Sequence, residues 1–256
     1  MSIWFFIWFL FAALMAGVTL WSTYILMQQK DAWKKFALDK KINYKPGQFF
    51  SPCEMDGTID GFAVSFFTGT QQDPDARKNR QLTIFEITDT RSYVDGLACG
   101  SPEMKSFLDM LDALSRHGVE SANWDNKHTM FSRNKKSVDA YLTDTRLKIM
   151  NEMLKFPKSD VIIIMDKNQA VYRFETVNPL TDAKMIDDML QKLFSRIKKL
   201  RPSEDDYKKY QALRDTEEDK DSFIQEKAQE PISDSEAQPL TETVNKEDDK
   251  KEEPKA

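Results

Sequence analysis

The N-terminal segment is the most apolar part of the chain. Residues 1–29 carry no charged side chain, and Ile3–Met27 is almost wholly apolar. At about 1.5 Å per residue, a helix of this length crosses a hydrocarbon core of about 30 Å. Aromatic rings that favour the headgroup region stand towards its two ends, namely Trp4, Trp8, Trp21 and Tyr24. The pattern predicts a transmembrane helix over residues 3–27.

A cleaved signal peptide is the competing interpretation, because Ala12, Ala13 and Ala16 resemble a cleavage region. No basic residue precedes the apolar run, however, and the run continues well past Ala16. Both features favour an uncleaved anchor. Lysines then follow the run, at positions 30, 34, 35, 40 and 41. The positive-inside rule therefore predicts an external N-terminus and a cytoplasmic C-terminal domain.

The segment Asp31–Ile42 places Trp33, Phe36 and Ala37 at near-helical spacing between lysines. This spacing predicts a short amphipathic helix, which ends before Pro46. Two interpretations of its apolar stripe remain open. The stripe lies on the membrane surface, or it packs on the domain behind it.

Two hairpins are predicted from alternating apolar positions. The first joins residues 55–59 to 62–67 through Asp60-Gly61, and the second joins residues 160–165 to 170–177. Residues 81–88 predict a further strand, preceded by a solvated loop over residues 70–80. The segment 56–61 lacks the spaced acidic ligands of a calcium loop. A less regular strand-like stretch runs from residue 119 to 132.

Three amphipathic helices are predicted in the same region. One opens at Pro102 and stops at His117-Gly118, one is capped by Thr143, and one is capped by Thr181 and runs to Leu200. We therefore expect an α+β domain over residues 30–201, with helices on one face of a mainly antiparallel sheet. The methionines of the helical stripes, at positions 104, 150, 153, 185 and 189, are interpreted as core residues.

Charge separates the chain into two parts. Residues 202–256 hold 18 acidic and 9 basic side chains, a net charge of −9, whereas residues 1–201 carry 24 acidic and 28 basic ones, a net charge of +4. Few apolar residues follow position 215, which predicts a disordered acidic tail over 215–256 after a possible short helix over 202–214. The tail is either a solubilising spacer or a segment that folds back on basic groups.

Candidate chemistry is sparse. Cys53 and Cys99 suit a reducing compartment and do not form a disulfide framework. Neither His117 nor His128 has metal-ligand neighbours at a suitable spacing, and no phosphate loop or nucleophile motif is found. We therefore predict no catalytic, cofactor-binding or metal-binding residues, and no nucleic-acid partner. The possible lipid or partner contacts are basic residues, namely Lys34, Lys35, Arg133, Lys135, Lys136, Lys198 and Lys199.

Short motifs follow the apolar run directly. They are Trp33-x-x-Phe36-Ala37, then Tyr44-x-Pro46-Gly47, then Gly57-x-x-x-Gly61. With the single span, they resemble a group of uncharacterised bacterial membrane-anchored proteins. The resemblance implies a bacterial inner-membrane protein and supplies no site residues.

The sequence is compatible with two classes of function. An anchor, a domain without catalytic motifs and a charged tail favour a membrane-tethered interaction or scaffold module. The alternative is an enzyme whose site is assembled from residues distant in sequence.

Overall fold

The computed structural model describes residues 3–48, 51–72, 79–91, 93–111 and 114–209. Within these residues a long N-terminal helix precedes a nine-stranded antiparallel sheet with shorter helices. The predicted α+β fold is confirmed. The segment 215–256 lies outside the described residues, and of the possible helix over 202–214 residues 204–209 are helical.

The sheet combines β-hairpins with pairings between strands that are distant in sequence. The helices are α1 (Ile3–Lys40), α2 (Lys105–Asp109), α3 (Lys135–Tyr141), α4 (Asp144–Leu154) and α5 (Ala183–Leu200), and a 3₁₀ turn spans Pro102–Met104. The strands are β1 (Asn43–Lys45), β2 (Glu54–Ile59), β3 (Phe62–Gln72), β4 (Asn79–Asp89), β5 (Leu97–Gly100), β6 (Ser115–Arg116), β7 (Thr129–Ser132), β8 (Ser159–Asp166) and β9 (Gln169–Thr176). Their order across the sheet is β1-β2-β3-β4-β9-β8-β5-β7-β6.

Both predicted hairpins are confirmed. Strands β2 and β3 pair with Ile59 opposite Phe62. Asp60 and Gly61 between them have φ of 52° and 80°, which is the left-handed pair of a type I′ turn. Strands β8 and β9 pair with Asp166 opposite Gln169. The second hairpin lies in the middle of the sheet, which explains its nearly continuous apolar sequence.

The predicted amphipathic helix is the C-terminal part of α1 rather than a separate element. Trp33 and Phe36 are buried, and their ring centroids lie 5.7 and 6.3 Å from that of Phe66 on β3. The apolar stripe therefore packs on the domain, and the membrane-surface interpretation was wrong. The preceding turns of α1 are exposed, and by length and composition this helix can cross a membrane.

The main core lies between one face of the sheet and the helices α1, α4 and α5. Phenylalanines from neighbouring strands stack through it. The Phe85 and Phe174 centroids are 4.7 Å apart, and those of Phe66 and Phe85 are 5.5 Å apart. A smaller cluster on the other face packs Met104 and Leu108 against β5, β7 and β8. Helical residues therefore cover part of both faces.

Several local predictions were wrong. The helix after Pro102 ends at Asp109, and Ser115 already belongs to β6. Within the predicted loop 70–80, β3 extends to Gln72 and β4 begins at Asn79, while residues 73–78 lie outside the described part. Of the strand-like stretch 119–132, β7 occupies only the last four residues. Helix α3 was not predicted at all.

Candidate functional site

The basic residues predicted as contacts lie in three separate places. Lys34 and Lys35 are exposed on α1. Lys198 and Lys199 lie at the other end of the domain, near the β2–β3 turn, with Lys198 Nζ 5.9 Å from the Phe62 ring centroid. The third group, Arg133, Lys135 and Lys136, lies at the edge of the sheet formed by β7 and α3. These residues therefore do not form one binding surface.

A concave surface lies between α4 and α5, at the ends of β8 and β9. It is an open groove of about 870 Å³. We call it the α4–α5 groove, and its lining comprises Glu152, Lys155, Phe156, Pro157, Ser159, Thr176, Asn178, Leu180, Asp182, Lys184, Met185, Asp188, Met189, Lys192 and Arg196. The groove was not predicted, because its residues come from four elements that are adjacent only in the fold.

Capping and turn residues shape the two ends of the groove. The chain leaves α4 after Lys155, and Pro157, which disfavours further helix, directs it towards β8. Asn178 accepts a 3.0 Å hydrogen bond from Leu180 N, which makes a tight turn before α5. Asp182 then accepts from Lys184 N at 2.9 Å and caps α5. The cap lies one residue after the predicted one, Thr181.

The floor of the groove is apolar and its walls are charged. Phe156 and Met189 are half-buried, and Met185 is 37% exposed. On the walls, Arg196 Nη2 lies 3.6 Å from Glu152 Oε2 and Lys155 Nζ lies 2.9 Å from Asp125 Oδ2. An apolar floor between charged walls matches one face of an amphipathic helix.

The methionines divide into two groups. Met104, Met150 and Met153 are buried, as predicted. Met189 is half-buried and packs against the core while it also lines the groove, whereas Met185 is exposed in the groove, so the interpretation of Met185 as a core residue was wrong. Each stands one residue before a buried position of α5, at the border of its apolar stripe. That border position is the signal in the sequence from which this part of the site was predictable.

A serine, a histidine and an aspartate meet at the edge of the sheet. His117 Nδ1 lies 3.0 Å from Ser132 Oγ. The other ring nitrogen lies 3.1 Å from Asp139 Oδ1, without the alignment of a hydrogen bond. Ser132 and His117 are both buried, and Ser132 faces the core side of β7 together with Met130. In this geometry the three residues join β7 to α3, and the buried hydroxyl does not face a substrate.

A second cleft, of about 350 Å³, lies on the opposite face of the sheet. Leu111, Leu114 and Ile164 form its apolar part. At its margin, burial and a hydrogen bond with Asp166 raise the pKa of Asp95. The guanidinium of Arg133 lies 3.3 Å from Asp95 Oδ1 and opposes that effect. Arg133 therefore favours the charged form of Asp95 against the opposing effects of burial and Asp166.

A buried polar network holds the end of α5. Asp89 accepts hydrogen bonds from Arg201 Nε at 2.6 Å and from Tyr93 OH at 2.8 Å. The guanidinium of Arg201 also lies 4.7 Å from the Phe62 ring centroid. Burial raises the pKa of Tyr93, which keeps its hydroxyl protonated as a donor. The network fixes α5 on the sheet and thereby one wall of the groove.

The cysteines are free and buried. Cys53 directly precedes β2 and Cys99 lies in β5, and four strands stand between β2 and β5 in the sheet. Burial raises the pKa of both thiols, which opposes formation of the reactive thiolate. Among the described residues, no group of three His, Cys, Asp or Glu side chains is placed to hold a metal ion.

Comparisons with known proteins add no identity. No protein-family model, no curated protein and no solved structure matches this chain.

Proposed function

We propose that the chain is a single-pass protein of the bacterial inner membrane, with its N-terminus outside and its domain in the cytoplasm. The exposure of α1 over its apolar run and the lysines that follow support this arrangement. The continuity of α1 supports an uncleaved anchor, because the apolar run passes into the buried stripe without a polar cleavage segment.

Separate C-terminal fusions to alkaline phosphatase and to a fluorescent protein that matures only in the cytoplasm test this topology. We expect fluorescence and no phosphatase activity in membrane fractions. Phosphatase activity in the membrane fraction contradicts the orientation. A processed chain in the soluble fraction contradicts the anchor itself.

We further propose that the protein is a membrane-tethered interaction module that binds a helical partner segment in the α4–α5 groove. The observation that carries this proposal is the exposure of Met185 beside Met189 on the apolar floor. Methionine side chains adapt to different partners, and grooves of this kind accept apolar anchors spaced by three or four residues. The ion pairs along the walls fit the polar rim of such an interface.

In-cell photo-crosslinking tests the groove directly. A photoreactive phenylalanine analogue at Met185 should give one or a few defined adducts that mass spectrometry identifies. The same analogue at Lys199, which is exposed on the same helix but outside the groove, is the matched control. Adducts that are absent at Met185, or identical at both positions, contradict the groove as the partner site.

A further inference from the structure

The first turn of α5 lies at the same level as the first turn after the apolar run. Thr181, Asp182 and Ala183 line a shallow depression with Gln28 and with other residues of α1 up to Lys35. Gln28 directly follows Met27, the last residue of the apolar run. At about 1.5 Å per residue, this part of α1 begins within one helical turn of the hydrocarbon boundary. The start of α5 therefore lies beside the headgroup layer.

The ends of β8 and β9 lie at the same level, whereas the β3–β4 pair continues four residues past Thr83 to Gln72 and Asn79. Gln29 Nε2 donates to Thr83 Oγ1 on β4 at 3.3 Å. Thr83 is opposite Thr176 on β9, which in turn is opposite Ser159 on β8. Lys158 and Val177, the residues just beyond these two strand ends, are both exposed, and Val177 is 40% exposed.

Three lysines and one apolar side chain are exposed at this end, beside the exposed acids Asp31 and Asp182. We call this group the span-side rim, and it comprises Lys35, Lys158, Val177 and Lys184. In the described part of the chain, the ion pairs found do not involve these three lysines. Asp182, two residues before Lys184, is engaged as the cap of α5, and Asp31 is an acidic neighbour of Lys35 in the same depression.

The direction of the helical side chains favours contact with the membrane. Side chains of a helix lean towards its N-terminus. For Lys35 on α1 that direction is towards the span. A lysine stem also extends along an apolar boundary while its ammonium group reaches the headgroups.

We propose that the span-side rim lies in the headgroup layer of the protein's own membrane and binds anionic phospholipid through Lys35, Lys158 and Lys184, with Val177 at the interface. This surface shares Lys184 with the α4–α5 groove and rests on the anchor proposed above. Of the contacts expected from sequence it retains Lys35 but not Lys198 or Lys199. Lys198 and Lys199 lie near Phe62, six residues along β3 from Thr68, so they are about 20 Å farther from the span.

Site-directed spin labelling of the full-length chain in nanodiscs tests the rim. The native thiols are buried, so a nitroxide on V177C labels one position. With anionic lipid, that label should be less accessible to a water-soluble nickel complex than a label on K199C. Zwitterionic lipid should remove most of this difference, and so should high salt, because both weaken the attraction of lysine for the surface.

A matched pair of variants separates rim charge from total charge. K158Q/K184Q should restore the accessibility of the V177C label in anionic discs, since each lysine shifts surface contact by about fivefold. K198Q/K199Q removes the same charge at the distal end and should leave the label protected. Equal effects of the two variants overturn the proposal.

Two failures are distinguishable. An anchored chain whose V177C and K199C labels are equally accessible overturns the rim alone. A chain whose intact mass lacks the N-terminal residues, and which does not enter the discs, overturns the anchor and with it the rim. Thermal unfolding of each variant is measured first. Label accessibility is then compared only among variants that melt at the wild-type temperature.

Discussion

Replacing Trp33 by alanine should weaken the packing of α1 on the rest of the domain. Trp33 is fully buried and makes an edge-to-face contact with Phe66, whose ring stacks on Phe85 in the centre of the sheet. This side chain therefore links α1 to the core, together with Phe36, whose ring also contacts Phe66.

The expected cost follows from burial. A buried tryptophan removes up to about 250 Å² from water, worth about 6 kcal/mol at 25 cal/mol per Å². Alanine retains part of that area and the core relaxes partly, so W33A should cost about 3 to 5 kcal/mol. Trp33 Nε1 has no hydrogen-bond partner among the described residues, so W33F removes no hydrogen bond and should cost less.

Pulse proteolysis in urea measures this cost on the full chain in detergent, because cleavage reports the unfolded fraction without relying on tryptophan fluorescence. L38A is the matched control, since Leu38 lies on the same helix and is 70% exposed. It should change stability by less than about 0.5 kcal/mol. A loss below about 1 kcal/mol in W33A, or an equal loss in L38A, refutes the tight packing of α1.

Three further predictions concern the domain. G96A should destabilise the fold by about 1 to 3 kcal/mol in thermal unfolding, because Gly96 has φ of 71° and a new Cβ would lie 2.4 Å from Arg133 Cβ. Burial raises the pKa of Asp206, but the hydrogen bond from Arg146 outweighs it and holds that pKa at about 2. The contribution of Asp206 to stability is therefore present above about pH 4 and is lost as the pH falls towards 2. D206N should reduce this acid limb, the loss of stability on acidification, in unfolding measured from pH 5 to 2. Cys99 should resist alkylation in the folded protein and react on unfolding, as followed by intact mass.

Each of these has a matched comparison. G118A should be nearly neutral, because nothing lies within 4 Å of its new Cβ, and an equal loss in G96A and G118A contradicts the steric reasoning. D205N alters the exposed neighbour of Asp206 and should keep the acid limb. Rapid alkylation of Cys99 in the folded chain contradicts its burial.

The hairpins and helices were predictable where local chemistry favours one conformation. Asp60-Gly61 accepts left-handed backbone angles, and Thr143 accepts a hydrogen bond from Arg146 N as a cap. The helix after Pro102 was overestimated because Leu111 and Leu114 continue a helical spacing. In the fold they pack against the second face of the sheet instead. Tertiary contacts thus overruled a local periodicity.

The candidate sites were much less predictable. The groove joins residues from positions 152 to 196 across two helices and two strand ends, and the rim adds Lys35 from the first helix. The sequence identified single basic residues as candidate contacts, but it did not predict which of them lie together in the fold. Lys34 and Lys198 looked alike as surface lysines, yet they lie at opposite ends of the domain.

By itself the sequence determined the apolar run, the α+β class, the two hairpins and the charge division of the chain, because each depends on residue type and short spacing. The tertiary structure alone decided that the apolar run and the stripe containing Trp33 form one helix, and that this helix packs on Phe66. It also placed Lys35 beside the start of α5 and Lys198 beside Phe62. The physical reason is that β4 pairs with β9, which joins residues nearly ninety positions apart, such as Glu86 and Arg173. Short-range periodicity in the sequence does not predict contacts between such distant residues.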